Sequence, residues 1–206
     1  MGMIPNVIKE SARGWQTVRI DDVLLQKRAV FLTEEVNAQS SIDLLKQFMY
    51  LEQEDSEKEI VFCINSPGGE VGAGLAVYDY LRLMKSPIRT VCIGTAASMG
   101  SILFLAGDKR EMLPHSRIMI HDPAFSGGSY AGKKPNEIEE VLKDLRYTQE
   151  TLCNLLAERT GQPLEVIYEK TKKDTYFNAE EAIEFGLATG IVTIPEALQP
   201  TEGGNE

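Results

Sequence analysis

Short apolar runs alternate with stretches of helical periodicity along most of the chain. Lys27–Leu32 and Ile60–Ile64 are continuous and rich in Val, Ile and Phe, as strands buried on both faces would be. Between them, Ala38–Leu51 carries Ile42, Leu44, Leu45, Phe48 and Met49 at helical spacing, then gives way to the polar turn Glu-Gln-Glu-Asp-Ser. Asn65-Ser-Pro-Gly-Gly69 breaks the second strand, and Val71–Met84 reads as a helix. Ile88–Ile93 predicts a third strand stopped by Gly94, and the apolar run after Ser98 predicts a further helix. Arg117–His121 reads as a strand that ends in His121. Residues 124–136 are Gly-rich and polar, hence a loop. Glu137–Arg159 predicts a long amphipathic helix with Ile138, Val141, Leu142, Leu145, Leu152, Leu155 and Leu156 on its apolar side. Helices at 163–172 and 178–186 and a strand near Leu187–Ile194 complete the pattern. Residues 1–20 are mixed and polar, with no element assigned, and Pro195–Glu206 is expected to be disordered.

Strand, small-residue turn, helix, strand is the rhythm of an α/β fold with a mainly parallel sheet. Such sheets place ligand sites at the C-terminal ends of strands, where the turns 65–69 and 94–98 are expected to fall.

Composition narrows the function. The length of 206 residues suits one well-packed domain. A net charge of −10 argues against a nucleic-acid partner, which would want a basic face. The cysteines Cys63, Cys92 and Cys153 are odd in number, and two lie in strand-like runs, which fits reduced, buried thiols and a cytoplasmic location. No C-x-x-C occurs and two histidines are too few for a typical zinc site, so no metal is expected. No apolar run reaches about 18 residues, so no membrane span is expected, and the first residues lack the apolar core of a signal peptide.

The candidate chemistry centres on Gly94-Thr-Ala-Ala-Ser-Met-Gly100. Ser98 has two readings. It could be the N-cap of the following helix, a favoured place for Ser. It could instead be a nucleophile: its neighbours are small, Ala96-x-Ser98-x-Gly100 resembles a nucleophile elbow, and a helix N-terminus favours developing negative charge. A serine hydroxyl needs a base. His115 lies in a turn and reads as a surface residue, whereas His121 ends a strand that could lie beside the strand leading to Ser98. A third group must orient the imidazole. Composition cannot choose it among 31 acidic residues. Asp122 is adjacent, but neighbouring strand residues point to opposite faces, which favours a distant acid. Acyl transfer also needs amide donors for an oxyanion. Gly68-Gly69 and the Met99 N–H are candidates, though Ser66-Pro-Gly-Gly could equally be a tight turn into a helix.

Ile64-Asn-Ser-Pro-Gly-Gly69, Ala96-Ala-Ser-Met-Gly100, Leu113-Pro, Ser116-Arg-Ile-Met-Ile-His121 and Ala179-Glu-Glu-Ala-Ile-Glu-Phe-Gly186 together resemble the proteolytic-subunit family of the Clp protease (ClpP), from about Ile4 to Val192. The resemblance implies Ser98 as nucleophile, His121 as base, Asp174 as orienting acid, and Gly69 and Met99 as oxyanion-hole amides. It implies an α/β, crotonase-like fold of repeated ββα units with a protruding handle helix. Residues 1–20 would form an axial segment, and 21–194 the protease domain, with the handle at about 123–160. The implied assembly is two stacked seven-membered rings, homomeric or mixed with a paralogue, that receive unfolded protein substrates from a hexameric AAA+ unfoldase. That partner spends the ATP, so this subunit needs no cofactor. The family often has Arg where Thr175 stands here. Two other readings compete: a catalytically silent subunit of a mixed ring, and a crotonase-fold acyl-CoA enzyme, which would normally use carboxylates and leave Ser98/His121 unexplained.

Overall fold

The computed structural model describes residues 6–11, 14–125 and 131–192. The chain opens with an antiparallel hairpin, β1 (Asn6–Ser11) and β2 (Gly14–Arg19), followed by a short helix, α1 (Ile20–Gln26). Neither the hairpin nor the helix is visible as a hydrophobic pattern. Their described residues are exposed or only half-buried, with Trp15 standing in the open, so no buried face imposes a period. The pattern assigns no element to residues 1–20, and the structure places both strands of the hairpin there.

The body follows as β3 (Ala29–Leu32), α2 (Ala38–Glu54), β4 (Ile60–Ser66), α3 (Val71–Leu83), β5 (Ile88–Ala97), α4 (Met99–Phe104), β6 (Lys109–Met112), β7 (Arg117–Ile120), α5 (Pro135–Thr160), α6 (Leu164–Thr171), β8 (Thr175–Phe177), α7 (Ala179–Phe185) and β9 (Gly190–Ile191). The main sheet runs β3-β4-β5-β6-β9, all parallel, and β7 pairs with the end of β5 while β8 joins β7 antiparallel. A mixed α/β architecture with a mostly parallel sheet therefore stands as the pattern of runs suggests.

In β4 the side chains alternate. Phe62 and Ile64 face the helices and join Phe48, Leu103 and Phe104 in the main core, where the Phe48 and Phe62 rings meet edge to face at 5.2 Å. Val61 and Cys63 face the other way and pack with Val91, Phe31 and Ile93. Burial drives the Cys63 thiol up to about 12 and also raises Cys92 and Cys153, so all three are neutral, free thiols.

Beyond the hairpin, β6 and β8 also escaped the hydrophobic pattern. In β6, Arg110 and Glu111 are charged yet buried. Glu111 pairs with Arg89 at 2.5 Å, and Arg110 donates to the carbonyls of Leu187, Gly186 and Arg159. Charge concealed a strand because its partners are remote in sequence. β8 has three residues, too few for a period to register. The last strand is two residues long, where Leu187–Ile194 suggests eight. Leu187 and Ala188 are buried in the connection after α7 instead, and the tail at 195–206 lies outside the described residues.

Gly94 does not stop its strand. β5 continues to Ala97 and changes partner on the way: Arg89–Cys92 pair with β6, and Thr95–Ala97 pair with β7. On its other side the register with β4 shifts between Ile64 and Ser66. Asn65 fills the gap, its Oδ1 accepting the Thr95 N–H at 3.0 Å. Gly94 is needed for that closeness, since a Cβ there would lie 2.4 Å from Asn65 Oδ1.

The long helix α5 is covered only near its end. Leu152, Cys153 and Leu156 are buried, while Ile138 and Leu142 remain 40% and 41% exposed.

Gly94→Ala should therefore push Asn65 away from Thr95 and lower the unfolding free energy by about 1–3 kcal/mol. Urea titration would read this as an earlier midpoint with unchanged slope, and a wild-type midpoint would refute the packing argument.

Candidate active site

Ser98 stands where β5 ends and α4 begins. Its backbone has φ +53° and ψ −123°, a conformation that non-glycine residues avoid and that costs on the order of 1–3 kcal/mol. Two sets of bonds hold it there. The Ser98 N–H donates to Met119 O on the adjacent β7 at 2.9 Å, and the Ser98 carbonyl accepts both the N–H and the hydroxyl of Ser101, at 2.9 and 2.7 Å. The first turn of α4 is thus secured through the serine's carbonyl. The Ser98 side chain makes no capping bond, so the N-cap reading fails. Its hydroxyl meets His121 Nε2 at 2.7 Å.

Strand register explains that meeting. Ala97 lies beside Met119 in the parallel β5–β7 pair, so the residues just beyond the two strand ends emerge together. The antiparallel β7–β8 pair sets Ile120 against Thr175, and one step further the same register sets His121 opposite Asp174. Asp174 Oδ1 lies 3.4 Å from His121 Nδ1. The acid side chain is 60% exposed and the imidazole 28%, so this contact is longer and wetter than the serine–imidazole bond. Thr175 steadies the loop under Asp174, its hydroxyl donating to Lys170 O at 2.6 Å. Asp122, the neighbouring acid, does not face Nδ1 but accepts a bond from Gln149 Nε2. His115 is exposed, as its turn suggests.

The glycine turn packs onto the serine turn. Gly68 has φ +94°, and a Cβ there would stand 2.6 Å from Ala97 O, 2.7 Å from Ser98 Cβ and 2.8 Å from Met99 N. No larger residue fits. Ser66, which is buried, braces the turn by accepting the Gly68 N–H at 3.1 Å and donating to Glu34 O at 2.6 Å. A parallel bridge between Val36 and Gly69 ties the other side, using the N–H groups of Val36 and Glu70 and leaving the Gly69 N–H out. Met99 is the first residue of α4, so its N–H has no intrahelical acceptor. These two amides sit in turns that are pressed together beside Ser98. The bracing by Asn65 and Ser66 was not recognised in the sequence, where both residues read only as turn formers.

Beside the hydroxyl opens a small cavity lined by Val71, Met99, Ile102, Leu152 and Leu156, with Ser98 and His121 at its polar end. A more open groove of about 420 Å³ lies between Lys170, Tyr176, Phe177 and Phe185, but no nucleophile–base pair reaches it. The chemistry belongs to the smaller space. Among the described residues no three His, Cys, Asp or Glu side chains cluster as metal ligands, and no helix is long and apolar enough to cross a membrane. A hydroxyl against an imidazole, an acid at the far ring nitrogen and two amides nearby can support acyl transfer through a covalent intermediate.

A family model described as Clp protease matches residues 12–195.

The backbone at Ser98 yields a direct test of the strain in its turn. Ser98→Gly and Ser98→Ala both lose the hydroxyl, but only Gly relieves the positive φ, so the Gly protein should be more stable than the Ala protein by about 1 kcal/mol. Thermal and urea unfolding would measure the gap, and an Ala variant equal to or better than Gly would mean that the turn carries no strain.

Proposed function

From the premise that the chain belongs to the Clp protease family, we propose that it is the proteolytic subunit of an ATP-dependent Clp-type protease, a serine endopeptidase acting on unfolded polypeptides. The observation that carries this reading is the 2.7 Å approach of Ser98 Oγ to His121 Nε2, made by a serine on a strained backbone whose hydroxyl makes no capping bond to its helix.

In the proposed reaction, Ser98 Oγ attacks the scissile carbonyl carbon and its proton passes to His121 Nε2. The carbonyl oxygen, now negative, receives the N–H groups of Gly69 and Met99, each worth about 3 kcal/mol in the transition state. His121 then gives the proton to the leaving amine as the C–N bond breaks, and an acyl-Ser98 ester remains. Water attacks that ester with His121 again as base, releasing the carboxylic acid and restoring the hydroxyl. Asp174 holds the Nδ1–H side of the ring and stabilises the imidazolium. The apolar cavity beside Ser98 would take an apolar side chain next to the cleaved bond.

The half-covered apolar stripe of α5 supports assembly, since Ile138 and Leu142 stay about 40% exposed in one chain. The proposed particle is a pair of stacked seven-membered rings on a crotonase-like fold, with α5 as the handle and the sites enclosed. A hexameric AAA+ unfoldase would feed it and spend the ATP, which leaves this subunit without a cofactor of its own. We place it in the cytoplasm because its thiols are free. A second reading, a silent or specialised subunit of a mixed ring, draws on the 3.4 Å gap and the exposure of Asp174.

A fluorophosphonate probe should label Ser98 in the assembled wild type and not in Ser98→Ala. Asp174→Asn should slow peptide hydrolysis by about a hundredfold or more through the wrong imidazole tautomer. An unlabelled wild type would favour the silent reading, and an unaffected Asp174→Asn would remove that acid from the site. Light scattering on the purified chain should give a particle of fourteen copies or a ring component of it, and a stable monomer would defeat the assembly proposal.

A further inference from the structure

We propose that Asp122 and Gln149 form a positioning pair that fixes the imidazole of His121 from behind, by tying the end of β7 to α5. This rests on the role proposed above for His121.

β7 ends at Ile120, so His121 is the first residue beyond its sheet ladder. On the ring itself, the distal acid offers a long, exposed contact at 3.4 Å. Apart from the 2.7 Å bond of Nε2 to Ser98, what restrains the residue acts largely through the backbone. The next peptide supplies it: the Asp122 N–H donates to Thr171 O at 2.7 Å, and Thr171 is buried at the end of α6, three positions before Asp174. One bond thus ties the histidine's segment to the acid's segment.

The Asp122 side chain extends the tie to a third element. Gln149 Nε2, on α5, donates to Asp122 Oδ2 at 2.7 Å. A carboxylate oxygen can only accept here, which fixes the amide's nitrogen toward it. Asp122 Oδ1 is buried without a partner, so the Gln149 bond is the one side-chain hydrogen bond that this carboxylate makes among the described residues. A half-buried carboxylate that lost it would be driven to turn toward solvent, because an unmet oxygen in a part-buried place costs more than the bond itself gains. Once the side chain turns away, the tie from the Ile120–Pro123 segment to α5 is lost, and the imidazole is held by fewer restraints. The reach of a proton transfer leaves little tolerance: a misplacement of about 1 Å can cost on the order of a hundredfold in rate.

The pair acts through a hydrogen bond rather than through charge, which makes it testable by substitution. Gln149→Met keeps the length of the side chain and removes the donor. It should lower kcat and the rate of fluorophosphonate labelling of Ser98 by roughly tenfold to a hundredfold, with KM within about twofold, while the final extent of labelling stays complete. Asp122→Leu should do the same, and Asp122→Asn, which keeps an oxygen for Gln149 to bond, should recover most of the rate. The ring itself gives a readout independent of turnover. The chain has two histidines, so isotope-labelled histidine with a His115→Gln reference assigns the His121 resonances directly. Wild type should show a single ordered ring, and Gln149→Met an averaged one.

Unchanged labelling rate and unchanged ring resonances in Gln149→Met would overturn the proposal. So would a fall in the extent of labelling at constant rate, which marks misfolding, or an Asp122→Asn protein as slow as Asp122→Leu, which marks charge as the agent. A wild type that resists labelling while the ring still loosens in Gln149→Met would instead count against the peptidase reading and leave the positioning pair standing.

Discussion

A backbone turn that L-amino acids resist is the constraint on which the site depends. Ser98 adopts φ +53° with an ordinary side chain. That geometry persists because the strand before it, the neighbouring β7, the first turn of α4 and the glycine turn at Gly68 each fix part of it. The consequence is chemical. A serine in a relaxed N-cap would direct its oxygen at its own helix, whereas this turn directs it outward to His121.

The same economy recurs around the site. Residues that resemble simple loop formers brace neighbouring turns through polar bonds. Asn65 replaces a missing ladder bond where β4 and β5 lose register, and Ser66 accepts the Gly68 amide while donating to Glu34 O. Ser66 satisfies the buried Gly68 amide, which burial would otherwise penalise, and thereby holds the glycine turn that carries the Gly69 N–H. The proposed oxyanion site is therefore a product of how two turns are pressed together, and Gly68 is the residue that allows it.

Three segments distant in the chain converge on this point, and their grip is uneven. Ser98 and His121 are joined by a short bond within the sheet's framework, while Asp174 sits on an exposed loop after α6. The rest of α5 extends away with much of its apolar stripe unprotected. In the proposed particle that stripe would be covered by other subunits, and α5 also carries Gln149, so the element that would meet neighbours is the one that touches the segment of the base.

The sequence by itself determined the strands at Ile60 and Ile88, the helices after Ala38, Val71 and Glu137, the mainly parallel sheet and the candidate serine, because apolar runs and helical periods are written locally. The resemblance to the Clp protease family pointed to Asp174, which the residues themselves could not single out among the acids. Only the tertiary structure decided that Gly94 lies within a strand, that Lys109–Met112 forms one despite its charges, and that Ser98 spends its hydroxyl on His121 rather than on its helix. Those outcomes depend on partners far along the chain: Asn65 for Gly94, Arg89 and the Leu187 carbonyl for β6, and the register of β7 for Ser98. A period in the sequence records which face is buried, but it holds no record of which distant group will meet a buried charge or a strained turn.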